Sequence, residues 1–415
     1  MLITKFAFHN LYSFDNFTVD LTYPKKLRFS TIENEYLSFA TNFKIKKVCL
    51  ISGSNATGKT AVGRLLCAAM NFIVGRNNAL DYIKIRNSQK KATIVLEFVT
   101  PFNKMLHEVV LDFRESSQSG SGVLTELNAI AYRSVFINSK DSQHTARNRL
   151  DSLDYYENSL QINPEVDLFK NLHSRVFSTY EDDYQPQIND FFWKYVFYET
   201  IDKDNSSNVK EFSKFDLKRA TNILKAFDPT ITSIVALVNK VKAAKSKKLS
   251  EPQVYQIQFE NGNSVPILLD NLNDSAASNI YKRLSKGTFE ALSIIDFVER
   301  IIRDKLNNSS STLFLDERMA HVHTQLETSM LNVMIQKLGV NSQFFYSTHN
   351  TDLLEMNLPI HSHLFLKRNA NQLVEAVQPE YLFKKNDRSL LNYVKNDVFG
   401  TCPDTNLIDE ILYEE

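Results

Sequence analysis

The stretch Gly53-Ser54-Asn55-Ala56-Thr57-Gly58-Lys59-Thr60 fills every fixed position of the phosphate-cradling pattern G-x-x-x-x-G-K-[ST]. That pattern constrains the fold strongly, because it works only between a strand and a helix. Both flanks are right: Lys47-Val48-Cys49-Leu50-Ile51 is an apolar run of strand length, and Ala61 to Ile73 carries Val62, Leu65, Leu66 and Met70 at helical spacing. In such a loop, backbone N–H groups converge on phosphate oxygens while the helix N-terminus adds partial positive charge. Lys59 is expected to reach the β- and γ-phosphates, and Thr60 to hold Mg²⁺. A chance match in an ordinary turn is the competing explanation, and the two correct flanks count against it.

A chain of 415 residues suggests two or three compact lobes. Lys+Arg and Asp+Glu both number 48, so any nucleic-acid contact must come from a local patch rather than a global field. Hydrophobic content of 43% and 29 Phe supply a large core, while only 10 Gly and 10 Pro argue against long flexible linkers. Cys49, Cys67 and Cys402 lie far apart, without metal-ligand spacing. No apolar run approaches ~18 residues, and Met1 to Asn10 carries no signal-peptide pattern, so the expected location is the cytoplasm, with no membrane contact.

Ile3 to Leu21 reads as two strands joined at Ser13-Phe14-Asp15-Asn16, and residues 22–43 are less regular. Ala92 to Phe98 and His107 to Phe113 form an antiparallel pair about the turn Pro101 to Lys104, and a further strand covers Ala131 to Ile137. From 141 to 250 the pattern turns helical, polar and aromatic, with acidic Glu181-Asp182-Asp183 and a basic run from Lys240 to Lys248. That run leaves nucleic acid open as a partner, and a solvated helix end explains it equally well. Val254 to Phe259 and Val265 to Leu269 make a hairpin, and Leu292, Ile295, Val298 and Ile302 mark a long amphipathic helix. Thr312 to Leu315 and Gln343 to Tyr346 read as buried strands linked by a helix over Gln325 to Lys337, and His363 to Lys367 pairs with Gln372 to Val377. The lobes are thus expected at 1–140, 141–250 and 251–415.

Three further motifs follow the loop in order. The strand Thr312-Leu313-Phe314-Leu315 ends in Asp316-Glu317, and phosphoryl transfer needs two such carboxylates: Asp316 in the Mg²⁺ shell, Glu317 to polarise the attacking water. The strand through Tyr346-Ser347-Thr348 ends in His349, placed to contact a γ-phosphate, although a lone histidine is more often a satisfied core or surface residue. Leu284-Ser285-Lys286-Gly287 opens the long helix, where a hydroxyl, a glycine N–H and a helix N-terminus make an anion site; a plain N-cap at Ser285 is the simpler alternative.

In this order the motifs resemble those of an ABC-type ATPase head, more closely the soluble branch holding the overcoming-lysogenization-defect (OLD) family and the SMC-like repair ATPases. Ile3 to Phe14 is similar to that branch's first strand and turn, Ala226-Phe227-Asp228-Pro229-Thr230-Ile231 to its segment at the end of the helical lobe, and Leu390 to Pro403 to the C-terminal segment of stand-alone ATPases of bacterial anti-phage systems. The resemblance implies an α/β fold: a P-loop mixed sheet with an antiparallel β-subdomain, plus an inserted helical lobe. It also implies ATP and Mg²⁺ as cofactors, with Gly53 to Thr60 on the phosphates, Thr60 and Asp316 on the metal, and Lys59, Glu317 and His349 in catalysis. Such ATPases dimerise head to tail, so Ser285 and Gly287 would meet the partner's nucleotide in a homodimer or higher even oligomer.

Two departures stand out. The family's Leu-His-Pro after the paired acids is replaced by Arg318-Met319-Ala320-His321-Val322-His323-Thr324, and Gln143 is only a weak candidate for the family's Q-loop glutamine. The residues after His349 are too few for the nuclease domain of OLD proteins, and 141–250 is too short for an SMC coiled coil. The function expected is that of an ATPase in an anti-phage (abortive infection) module, controlling a separately encoded nuclease effector. An SMC-like repair or recombination ATPase that clamps nucleic acid is the alternative, and a scaffold using ATP as structural glue is a third.

Overall fold

In the computed structural model of this chain, the described residues are 1–23, 30–73, 80–117, 123–159, 194–199, 216–237, 254–268, 284–383 and 390–401. β1 (Leu2–His9) and β2 (Phe17–Asp20) pair antiparallel around a turn that carries Phe14. Alternate strand side chains face one way, so Phe6, Phe8 and Phe17 are buried together. The irregular stretch that follows holds a small ribbon of β3 (Tyr36–Leu37) and β4 (Ala40–Lys44). β5 (Val48–Ser52) then delivers the chain into the phosphate loop, and α1 (Lys59–Ile73) leaves it.

β6 (Ala92–Thr100), β7 (Met105–Ser117) and β8 (Val123–Phe136) continue the first sheet, α2 (Gln143–Asp151) follows, and β9 (Tyr156–Ser159) completes the order β2-β1-β6-β7-β8-β9, antiparallel throughout. β8 starts well before Ala131, because the backbone ladder runs on to Ser117↔Val123 beyond the apolar alternation that marks the strand in sequence.

The remaining elements are β10 (Lys194–Tyr198), α3 (Leu217–Phe227), β11 (Ile231–Leu237), β12 (Val254–Phe259), β13 (Ser264–Leu268), α4 (Lys286–Leu306), β14 (Ser311–Asp316), α5 (Thr324–Lys337), β15 (Ser342–Thr348), β16 (His363–Arg368), β17 (Val374–Val377), α6 (Pro379–Leu382) and α7 (Leu391–Lys395). The second sheet has the order β10-β14-β15-β5-β16-β17; its first five strands are parallel and β17 runs antiparallel to β16. β14 and β15 are buried at every position, as strands covered on both faces must be.

α1 packs between the two sheets. Its Leu65, Leu66, Ala69 and Phe72 share one core with Phe6, Phe8, Leu96 and Leu111 of the antiparallel sheet and with Ile51, Phe314 and Phe345 of the parallel one. At roughly 25 cal/mol per Å² of apolar area removed from water, such rings and branched chains dominate the stabilisation of this layer.

The region 141–250 is not helical throughout. Among its described residues α2 and α3 are helices, but β9, β10 and β11 are strands, and β10 joins the parallel sheet beside β14. The apolar run Tyr195 to Tyr198 is short, without alternation, and its partner strand lies far along the chain, so local patterning misses it. Glu181-Asp182-Asp183 and the run from Lys240 to Lys248 lie outside the described residues.

By internal contacts the chain divides into two compact units, one of Met1–Tyr198, Asp304–Asp316 and Leu338–Glu415, the other of Glu199–Arg303 and Glu317–Lys337. These boundaries differ from the expected lobes at 140/141 and 250/251. The first unit contains both large sheets; the second contains the meander β11-β12-β13, α3, α5 and most of α4. Among the described residues no helix is long and apolar enough to cross a membrane.

Candidate nucleotide site

Parallel strands point their carboxyl ends the same way, and in open α/β sheets that edge is where ligands bind. Here the register pairs Ser52 with Thr348 and Ser347 with Asp316, so the ends of β5, β15 and β14 stand side by side. With strands ~4.8 Å apart, the phosphate loop at the end of β5 and the carboxylate at the end of β14 are about 10 Å from each other.

The loop itself is tightly fixed. A Cβ on Gly53 would lie 2.5 Å from the Leu366 carbonyl and 2.7 Å from Thr57 Oγ1, so no side chain fits there. Gly58 has φ +90°, a region L side chains rarely adopt, and a Cβ there would meet the Phe14 ring at 2.8 Å. Between them Ala56 takes φ +61°, Thr57 Oγ1 donates to Ser54 O at 2.8 Å, and Val62 N–H donates to Gly58 O at 3.0 Å as α1 begins. Ser54, Asn55 and Ala56 form the open tip, and Thr60 lies half-buried in the first turn of the helix.

The Lys59 side chain is buried, its ammonium 2.9 Å from Gly53 O, 3.1 Å from Ser54 O and 3.2 Å from His349 Nδ1. Lys59 and His349 are therefore brought together. Asp316 is fully buried and accepts a hydrogen bond from Ser347 Oγ. The next residue, Glu317, is half-buried and adopts φ +47°, a conformation that costs a non-glycine residue roughly 1–3 kcal/mol and is concentrated at functional sites.

The second unit, whose segment Glu317–Lys337 begins with Glu317 itself, also holds the other expected residues. Ser285 Oγ accepts the Thr288 N–H at 3.0 Å, so the N-cap alternative is realised at the start of α4. Thr288 Oγ1 donates to Asp228 Oδ2 at 3.2 Å, which joins the Ala226 to Ile231 segment to this cap. Ser285, Lys286, Gly287, Phe227, His321 and His323 border a pocket of about 660 Å³. The loop that lacks the family's proline is a turn in which His323 Nδ1 accepts the Gln325 N–H at 3.2 Å, and His321 Nδ1 sits 2.5 Å from Glu290 Oε1. Burial pushes the Glu290 carboxyl above the usual range, and the His321 hydrogen bond opposes that rise.

Gln143 lies elsewhere. It opens α2, whose Arg147 donates to Thr4 O at the start of β1, and at that end Met1 O accepts from Thr312 Oγ1 at the start of β14. The beginnings, not the carboxyl ends, of the parallel strands meet there, so the Q-loop assignment to Gln143 fails. Two further side chains, Phe14 and Arg368, touch the loop, and the sequence assigns neither a role there. Phe14 packs on Gly58, and Arg368, at the end of β16, donates to Ala56 O through Nε at 3.1 Å and Nη2 at 2.6 Å.

No family model matches the chain, and no curated protein matches it. Among solved structures it is similar to an Smc head bound to the C-winged helix domain of ScpA, at 11% identity and a TM-score of 0.43, over 92% of this chain and 100% of that one. It is also similar to the SMC head domain from Thermotoga maritima, at 12% identity and a TM-score of 0.36, over 91% and 99%. Likeness at that level adds nothing to the chemistry, which rests on the phosphate loop and its neighbours.

Proposed function

We propose that this protein binds ATP with Mg²⁺ at Gly53 to Thr60 and hydrolyses it. The observation that carries the reading is the buried Lys59 ammonium at the carboxyl edge of a parallel sheet, 3.2 Å from His349, with Asp316 ending a strand of that edge. The donor set suits Mg²⁺: the Thr60 hydroxyl and one carboxylate of Asp316 leave its other positions to water and phosphate, as this cation prefers. Bound there, the ion would neutralise charge on the β- and γ-oxygens. Lys59 exchanges its loop carbonyls for phosphate oxygens, His349 contacts the γ-phosphate, and Glu317 orients and deprotonates the attacking water.

Ser285 and Gly287 are assigned to the partner's nucleotide in a head-to-tail dimer, which makes assembly depend on nucleotide state. In the cell the protein acts as sensor or regulator in a bacterial anti-phage module, restraining or releasing a separately encoded nuclease. The resemblance of Ile3 to Phe14, Ala226 to Ile231 and Leu390 to Pro403 to those ATPases supports this role. Calorimetry with Mg-ATP and Mg-ADP, followed by phosphate release, tests the activity; no nucleotide binding by the folded protein would overturn it. A salt-dependent affinity for DNA would favour the repair-type alternative, since phosphate contacts release counterions.

A further inference from the structure

The phosphate loop is held from outside by the hairpin β16–β17. Its near end rests on β16, where Gly53 packs against the Leu366 carbonyl with no room for a Cβ. Its tip is held by Arg368, two residues on in the same strand: Nε and Nη2 both donate to Ala56 O, while Nη1 donates at 3.0 Å to Gln372 O in the turn between β16 and β17. The hairpin is itself tied to the Phe14 turn, through the Val374 N–H donated to Ser13 O at 2.9 Å.

Those bonds bear on phosphate binding through the geometry of one peptide. In a trans peptide the carbonyl and the following N–H point in opposite directions. The loop cradles an anion only if its N–H groups face inward, which sends carbonyls outward. Ala56 is where that arrangement costs most, because a residue with a Cβ sits there at φ +61°. A guanidinium fork on the Ala56 carbonyl offsets this cost and directs the Thr57 N–H back across the loop, where it donates to Ser54 O at 3.4 Å. We infer that Arg368 is a positioning residue for the nucleotide site, holding the Ala56–Thr57 peptide in its phosphate-binding orientation. The inference rests on the proposed nucleotide reading. Lysine cannot replace the fork, because a single ammonium cannot reach Ala56 O and Gln372 O with the same planar spread.

The test uses the full chain with Arg368→Ala and Arg368→Lys, read by hydrogen exchange of the 53–60 segment without nucleotide and by calorimetry with Mg-ADP. Arg368 is exposed, so both variants are expected to fold with a thermal midpoint close to that of the unaltered protein. Both should show faster exchange in 53–60, and a Kd for Mg-ADP raised roughly tenfold, the size expected for losing a charge-assisted hydrogen bond. Unchanged exchange in 53–60, or unchanged affinity in Arg368→Ala, overturns the inference while leaving the nucleotide reading intact. Recovery of affinity by Arg368→Lys also overturns it, since a bare positive charge would then suffice. If the unaltered protein binds no Mg-ADP, the nucleotide reading falls and the role of Arg368 falls with it.

Discussion

Lys59 Nζ donates to His349 Nδ1 across 3.2 Å, joining the phosphate loop to the end of β15. An ammonium has no lone pair to accept with, so within this contact Nδ1 is the acceptor. The Gly53 and Ser54 carbonyls complete this seat for a buried cation, which would otherwise be costly to hold away from water. On the proposed nucleotide reading, a γ-phosphate would enter by taking the ammonium over from its own loop.

Removing that cation should remove nucleotide binding. Lys59→Ala is expected to weaken Mg-ATP by roughly a hundredfold or more, because it deletes the fixed charge aimed at the β- and γ-phosphates. Calorimetry on the folded variant checks this, and wild-type affinity would remove the loop from the mechanism.

On the proposed reading, Glu317→Gln keeps shape and loses the base. Hydrolysis should fall by roughly 10²–10⁴-fold with ATP still bound, so the variant accumulates as the nucleotide-loaded dimer. Phosphate release together with light scattering measures both effects, and turnover at the unaltered rate would take the role of base from Glu317.

A shared site predicts complementation between two dead subunits. Mixing Lys59→Ala with Ser285→Arg chains places both lesions in one site of a mixed dimer and none in the other, so hydrolysis should partly return. A crosslink or map placing Ser285 beside its own chain's Lys59 would rule out the head-to-tail arrangement, whatever the kinetics.

Acid should destabilise the fold early, through His107. Burial lowers its pKa to about 3, and it stays neutral between Thr100 Oγ1 at 2.7 Å and Tyr132 Oη at 2.9 Å. The unfolded chain binds a proton near pH 6.5 while the folded one does not, so stability falls as pH drops from about 6.5 toward 3. The slope approaches 1.4 kcal/mol per pH unit for this one group. Buried His363, lowered to about 4, adds a second contribution with the same sign. Urea unfolding at pH 5, 6 and 7 should show this slope, and a His107→Gln variant should show a shallower one; equal slopes would mean that His107 titrates alike in both states.

The sequence by itself determined what depends on neighbours along the chain. Val48 to Thr60 had to be strand, loop and helix, because its apolar run, glycines and 3.6-residue spacing are local and agree with one another. The Thr312 to Asp316 strand and the β6–β7 hairpin were legible for the same reason. Tertiary structure alone decided what approaches from afar. β10 takes the edge beside β14 through hydrogen bonds to a strand distant in sequence, and the first turn's Phe14 comes to lie on Gly58. Gln143 is carried to the opposite end of the sheet from Asp316, although its place after a strand suggested otherwise. Arg368 belongs to no motif. Its partner is a main-chain carbonyl, which every residue possesses and no side-chain pattern can mark, so only the folded chain identifies it.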